Sequence, residues 1–163
     1  MRMPIIVHPF VDEHRPAMTV LYRTAWHATY DAVDGAAAIE RVIAALLDGD
    51  RPEMFEMADG DVALVAALNG RLIGGIRGHP RHGTLHLSGM YVALEQQGLG
   101  AGSALLGGLL QRFPHGIIVR ADVRPTSTAA RRFYGRHGFI ETGRGQADVG
   151  GGHWVDMIEL QRG

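Results

Sequence analysis

Tyr91-Val92-Ala93-Leu94-Glu95-Gln96-Gln97-Gly98-Leu99-Gly100-Ala101-Gly102-Ser103 reads as the end of a strand, a tight turn with alternate glycines, and the start of a helix. Glycines let successive backbone N–H groups converge without a Cβ in the way. A helix start adds unsatisfied donors and the positive end of the dipole. Such a turn seats an anion, most simply a phosphate or diphosphate. It is not the dinucleotide fingerprint G-x-G-x-x-G, because Ser103 or Leu105 stands where the third glycine belongs. Read alone, it is equally a Gly-rich helix entry packed close to a strand.

Working outward, Thr84–Val92 reads as the strand that feeds this turn. Leu105, Leu106, Leu109, Leu110 and Phe113 form the apolar stripe of the helix that leaves it, stopped by Pro114. Upstream, Val62–Leu68 and Leu72–Arg77 are strands joined by Asn69-Gly70, a strong hairpin signal. A looser turn through His79–Gly83 should follow them. The N-terminal third predicts a short strand at Ile5–Phe10 and a helix over Asp12–Tyr30. A second helix is expected to start near Asp34 as N-cap and to end at Gly49. Downstream, Gly116–Val123 is a strand and Thr128–His137 a helix closed by Gly138. Two last strands, Phe139–Thr142 and His153–Leu160, flank a Gly-rich segment, 143–152, expected as a substrate loop or a wide hairpin. No repeat or linker interrupts the pattern, which predicts one α+β domain over residues 1–163.

Composition narrows the chemistry. The chain has 163 residues, 46% hydrophobic and 20% charged, with 17 acidic against 16 basic residues. That is ordinary globular composition, without a basic nucleic-acid footprint. The absence of Cys removes disulfides, thiolate zinc sites and a cysteine nucleophile, and the absence of Lys removes a Walker loop and a Schiff base. With only Ser88, Ser103 and Ser127 and no G-x-S-x-G, a serine hydrolase has no support. His79, His82 and His86 do not make a metal site: Pro80 and Gly83 forbid a helix, and on a strand His82 and His86 stand ~13 Å apart. The early apolar run Ile5-Ile6-Val7 stops at His8-Pro9, and no stretch is long enough to span a bilayer. The expectation is a cytoplasmic protein without membrane or metal.

A second segment, Asp122-Val123-Arg124-Pro125-Thr126-Ser127-Thr128-Ala129-Ala130-Arg131-Arg132-Phe133-Tyr134-Gly135-Arg136-His137-Gly138-Phe139, ends one strand, starts a helix and closes on a Gly-Phe turn. Together the two segments resemble the GNAT superfamily of acyl-CoA-dependent N-acetyltransferases. Gln97-x-x-Gly100-x-Gly102 matches that family's phosphate loop, and Ala130-x-x-Phe133-Tyr134-x-x-x-Gly138-Phe139 its second signature. The resemblance covers about residues 62–160. It implies a mixed, mostly antiparallel central sheet flanked by helices, with acetyl-CoA in a splay between the Thr84–Val92 and Gly116–Val123 strands. No metal is implied.

Further roles follow from the resemblance, position by position. The amides of Gln97, Gly98, Leu99, Gly100, Gly102 and Ser103 would hold the diphosphate. Met90, Tyr91 and Val92 would pair with the pantetheine arm, and the Val92 N–H would polarise the thioester carbonyl. Ser127, Phe133 and Tyr134 would also touch the cofactor; the family usually has Asn at the position of Ser127, which equally suits a helix N-cap. Tyr134 matches the general acid. A phenol of pKa about 10 can donate to a leaving thiolate of pKa ~8.5; read from its helix alone, Tyr134 is an amphipathic core tyrosine. Asp122 is the candidate base, or a solvated carboxylate paired with Arg120 or Arg124. His86, Asp156 and water are its rivals. Trp26, His27, Tyr30, Asp31 and Asp34 sit where first helices of the family border the acceptor.

The reaction implied is direct transfer of an acetyl group to a primary amine, on a small molecule or a protein N-terminus. Two other readings share the motifs: a catalytically silent CoA-binding module, and a toxin-like acetyltransferase acting on aminoacyl-tRNA. The net charge of −1 argues against the RNA contact. An edge strand near the C-terminus leaves room for a homodimer.

Overall fold

Alternation along residues 62–68 sets the layers. Leu64 and Ala66 enter one core and Val65 another, all nearly solvent-free, because successive side chains leave opposite faces of a strand. The computed structural model describes residues 3–163. Its strands are β1 (Ile6–Pro9), β2 (Val62–Leu68), β3 (Arg71–Arg81), β4 (Thr84–Val92), β5 (Ile118–Val123), β6 (Ile140–Asp148) and β7 (Trp154–Arg162). Its α-helices are α1 (Arg15–Asp34), α2 (Ala36–Leu46), α3 (Ala101–Leu110) and α4 (Thr128–Arg136). The strands form one sheet in the order β1-β2-β3-β4-β5-β7-β6, and every neighbouring pair is antiparallel except β4–β5. This is the α+β, mixed and mostly antiparallel sheet that the sequence led us to expect.

Helices cover both faces. The stripe Leu105, Leu106 and Leu109 of α3 packs with Leu64, Ile76, Leu85 and Ile158 on one side, joined by Tyr134 and Phe139. On the other side Met18, Tyr22 and Trp26 of α1 and Ile39 and Ile43 of α2 close over Val65. Among the described residues no helix is long and apolar enough to cross a membrane.

Three elements depart from the sequence-based expectation. β3 continues through Pro80 to Arg81, so the turn expected to be loose is a tight one at His82 (φ 50°) and Gly83 (φ 78°). Histidine is among the residues that tolerate this left-handed conformation. It repeats the geometry of Asn69 (φ 52°) and Gly70 (φ 74°), the primed turn that suits a twisted hairpin. Of the two readings of 143–152, a substrate loop or a wide hairpin, the structure has the hairpin, with more strand than expected: β6 runs to Asp148 and pairs with β7 throughout; glycine weakened its signal.

The third departure is Asp34. It ends α1 instead of capping α2, whose N-cap is Gly35 at φ 87°. Its carboxylate is taken by Arg124, just past β5, with contacts of 2.7 and 2.6 Å, and by His153 Nε2 at 3.1 Å. Arg124 therefore does not pair with Asp122. Both charged side chains are only 8% exposed, and the guanidinium lies 4.3 Å from the Tyr30 ring centroid. The cluster ties α1, the β5–α4 connection and the β6–β7 turn together. Arg124 first, and His153 with it, hold the Asp34 carboxyl below the usual range although burial pushes the other way.

Leu105 is fully buried, so Leu105→Ala should cost about 3 kcal/mol in urea unfolding, with the denaturant slope unchanged. Breaking the buried pair with Asp34→Asn should cost a further set of about 3–5 kcal/mol at pH 7. A carboxyl whose folded pKa is lowered stabilises fully above its unfolded pKa of about 3.9, and that contribution fades as pH falls through the lower folded value. The gap between wild type and Asp34→Asn should therefore narrow below about pH 4; a gap of constant size down to pH 2 would contradict it.

Candidate functional site

The site starts where two strands stop pairing. β4 and β5 run parallel through only Thr84–His86 against Ile118–Arg120. Beyond that, β5 pairs with β7 and β4 with β3, leaving residues 87–92 of β4 without a strand on the β5 side. β4 also bends there. Its register against β3 slips between Arg77↔Ser88 and Gly75↔Tyr91, one residue too many on β4, which is a bulge. Gly89 occupies it at φ 60°, and a Cβ there would meet Met54 Cε within 2.4 Å. Its carbonyl accepts from the buried Tyr22 hydroxyl at 3.1 Å.

β4 leads through a 3₁₀ turn, Leu94–Gln96, into the glycine turn. Gly98 (φ 81°) and Gly100 (φ 93°) are left-handed, and the space that a Cβ would fill at each is open. Gly100 is the N-cap of α3, with no side-chain cap. Ala104 is the first amide taken by the helix, donating to Gly100 O at 3.0 Å; the N–H groups of Ala101, Gly102 and Ser103 precede it and have no partner one turn back. The Gln97 N–H, in contrast, donates to Leu94 O at 3.3 Å, while its side chain donates to Val92 O at 3.2 Å. The turn is exposed and not plugged by side chains, so its glycine-lined donors fit a diphosphate.

Several residues singled out in the sequence meet here. A Cβ on Gly102 would stand 3.1 Å from both Met90 Cε and Phe133 Cε2, so β4, α3 and α4 converge on that glycine. Ser103 Oγ and His137 Nε2 lie 3.0 Å apart, joining the first turn of α3 to the end of α4. Ser127 is the N-cap residue of α4, yet its hydroxyl makes no capping bond. Tyr134 is buried, edge-on to Phe133 and Phe139 at centroid distances of 5.2 and 5.0 Å. Burial, and secondarily Tyr30, push its phenol well above the ordinary range, so it keeps its proton at any working pH.

The acid–base candidates separate by face. Asp122 projects opposite to Ala121 and Val123, the β5 residues of the core that holds Tyr134. It stands directly across from Glu159 of β7. Its surroundings and then that like charge raise its carboxyl above the usual value, against the opposing pull of His86 and Arg120. His86 shares that face, paired with Arg120 across β4–β5. Asp156 belongs to the outer hairpin, where it accepts from Gln146 Nε2 at 3.0 Å.

The N-terminal wall is partly structural. Trp26 packs against Tyr91, with centroids 6.1 Å apart. Asp31 lies 2.8 Å from the His27 ring, and Asp34 holds Arg124. Tyr30 brings its hydroxyl to 3.2 Å from that of Tyr91. The sequence reading did not find the Asp34–Arg124–His153 cluster, whose members are 90 and 119 positions apart; an arginine between Val123 and Pro125 was its only signal. His79, His82 and His86 do not converge either: His79 bonds Ser88 and Asp61. Among the described residues no three His, Cys, Asp or Glu are grouped to hold a metal ion.

Comparison with known proteins places this geometry. Three solved structures share the fold across nearly the whole length. The PaiA N-acetyltransferase of Thermoplasma acidophilum, in complex with coenzyme A, superposes with a TM-score of 0.77 at 19% identity, covering 98% of this chain and 99% of that one. A GCN5-related N-acetyltransferase of Rhodopseudomonas palustris gives 0.75 at 18% identity, covering 99% and 98%. The ribosomal-protein-S18-alanine N-acetyltransferase of Escherichia coli gives 0.68 at 17%, covering 98% and 93%. No curated protein matches in sequence. The sequence profile of the Acetyltransferase (GNAT) family, however, matches residues 18–139. That stretch holds both glycine-containing signatures and the splay between them, and the chain is an acyltransferase of the GNAT family.

Proposed function

We propose that the chain, as one domain over residues 1–163, transfers the acetyl group of acetyl-CoA directly to a primary amine. One observation carries the reading: β4–β5 pairing ends after His86, opening a strand edge that points toward the glycine turn on one side and the helix of Tyr134 on the other. Solved relatives of the same fold support it, one titled as a coenzyme A complex and one as an alanine N-acetyltransferase for a ribosomal protein.

Within this proposal, the N–H groups of Gly98, Leu99, Gly100, Gly102 and Ser103 bind the diphosphate, as converging donors at a helix start bind anions. Gln97 contributes by holding Val92 O through its side chain, since its own amide is engaged. The exposed edge of Met90, Tyr91 and Val92 accepts the pantetheine arm as an added strand. The Val92 N–H is placed to steady negative charge on the thioester oxygen. Ser127 and Phe133 border the arm from α4. Tyr134, kept protonated because burial disfavours its anion, supplies the proton to the departing sulfur. Asp122, whose carboxyl is raised above the usual value by its partial burial and then by Glu159, takes the proton from the incoming ammonium, directly or through water.

Two measurements test this. Calorimetry with coenzyme A should show binding that weakens at least about tenfold in Gly100→Val, because a side chain is strained at φ 93°. Tyr134→Phe should lower the rate of thiol release from acetyl-CoA about 10²–10⁴-fold in the presence of an accepted amine. Its affinity for coenzyme A should stay within about threefold, because the hydroxyl is removed without disturbing the ring. Coenzyme A that fails to bind the wild-type protein would sink the reading.

A further inference from the structure

Among the described residues Arg77 makes no salt bridge; the carboxylates of Asp61 and Glu53 act on it only from a distance. It stands on β3 opposite Ser88, and its side chain runs beside the bulge, with Cδ 3.4 Å from where a Cβ on Gly89 would lie. One Nη donates to Glu56 O. Otherwise the guanidinium faces the sulfurs of Met54 and Met57 at 3.8 and 4.0 Å, and its Nε is buried without a hydrogen-bond partner. Among the described residues no carboxylate lies within ion-pairing distance of it; exposed arginines such as Arg41 and Arg112 also lack one, but Arg77 is half-buried. Asp61, the acid that most nearly serves it, is committed to Arg81 and His79. A half-buried, unpaired guanidinium is costly in isolation and strongly favours an incoming anion.

The sheet places that cation in a polar row. Arg77 pairs with Ser88, His86 pairs with Arg120 one level below, and Asp122 pairs with Glu159. By alternation Arg77, Ser88, Asp122 and Glu159 leave the same face of the sheet, the one covered by α1 and α2. The row crosses the molecule where β4 and β5 separate. It carries one positive group on β3, one strand spacing of ~4.8 Å behind the β4 edge of the opening, and two facing carboxylates, Asp122 on the β5 edge itself and Glu159 one spacing behind it on β7.

We propose that Arg77 determines acceptor specificity by binding a carboxylate of the acceptor, while the amine is directed toward Asp122 and Glu159; the acceptor class is a free amino acid or a similar small zwitterion. The proposal rests on the acetyl-transfer reading and narrows it. A polycationic amine lacks the anion that Arg77 awaits and meets its repulsion.

The test compares amines that differ only in the carboxylate: leucine against isopentylamine, and phenylalanine against phenethylamine, within a panel of the twenty amino acids. With wild-type protein, thiol release should favour the carboxylated member by at least about tenfold in kcat/KM. Arg77→Met should abolish that preference through the acceptor's KM, leave the KM for acetyl-CoA unchanged, and keep or raise the melting temperature. Arg77→Lys should restore part of the preference. Equal use of both members, or a preference for the plain amine, overturns the proposal. So does an Arg77→Met protein that is destabilised and slowed equally with every acceptor, since that is a structural strap on Glu56. The same amino acids titrated calorimetrically, with and without coenzyme A, judge Arg77 separately from catalysis. Binding lost in Arg77→Met supports the proposal even where no thiol is released, and a panel that never binds overturns it. Failure of coenzyme A alone to bind strikes the acetyl-transfer reading instead.

Discussion

Two neighbouring strands that cease to be neighbours organise this molecule. Backbone groups on a strand edge inside a protein need partners, so the parallel ladder between β4 and β5 would ordinarily continue. It stops after three residue pairs, just before β4 is bent by an extra residue against β3. The bulge itself is held: a left-handed glycine accommodates it, and the buried Tyr22 hydroxyl takes its carbonyl. From this one interruption follow the open edge of residues 87–92, the approach of α3 and α4 to that edge at Gly102, and the position of Tyr134 beside it.

The second organising force is the unequal treatment of two arginines, one buried and one half-buried. Arg124 is satisfied on every side, by a bidentate carboxylate, a tyrosine ring and a histidine sharing the same acid. It holds the end of α1 against the far end of β5, across the region where strand pairing has been lost. Arg77 sits among thioethers with an orphaned nitrogen. Among the described residues the buried side-chain nitrogens without a partner are those of Arg15, Trp26 and Arg77; Arg124 fastens the protein, and Arg77 is the charge we propose is left for the acceptor.

Much of the fold could be read from residues because its signals are local. Asn69-Gly70 specifies a turn by its own backbone preferences, the stripe from Leu105 to Leu109 specifies a buried helix face, and the glycine turn ends a strand and begins a helix within a dozen positions. The outer hairpin was legible only in part, since glycines at 143 and 145 dilute strand propensity while β7 supplies the pairing that makes the strand. Within the site, Tyr134 and the turn stood out through their spacing. Asp34, Arg124 and Arg77 did not, because what distinguishes them is a partner, or the lack of one, brought from far along the chain. A lone arginine in a sequence carries no mark of whether a carboxylate will meet it.

The turn between β4 and α3 presents main chain to its surroundings, and a surface of that kind is inherited differently from one made of side chains. Replacing a residue elsewhere in the turn leaves the peptide groups where they were. Only the two left-handed glycines, Gly98 and Gly100, decide which way they point. Lineages descending from such a protein are free to alter the outward character of this rim, its charge and its solubility, while two positions preserve its contour.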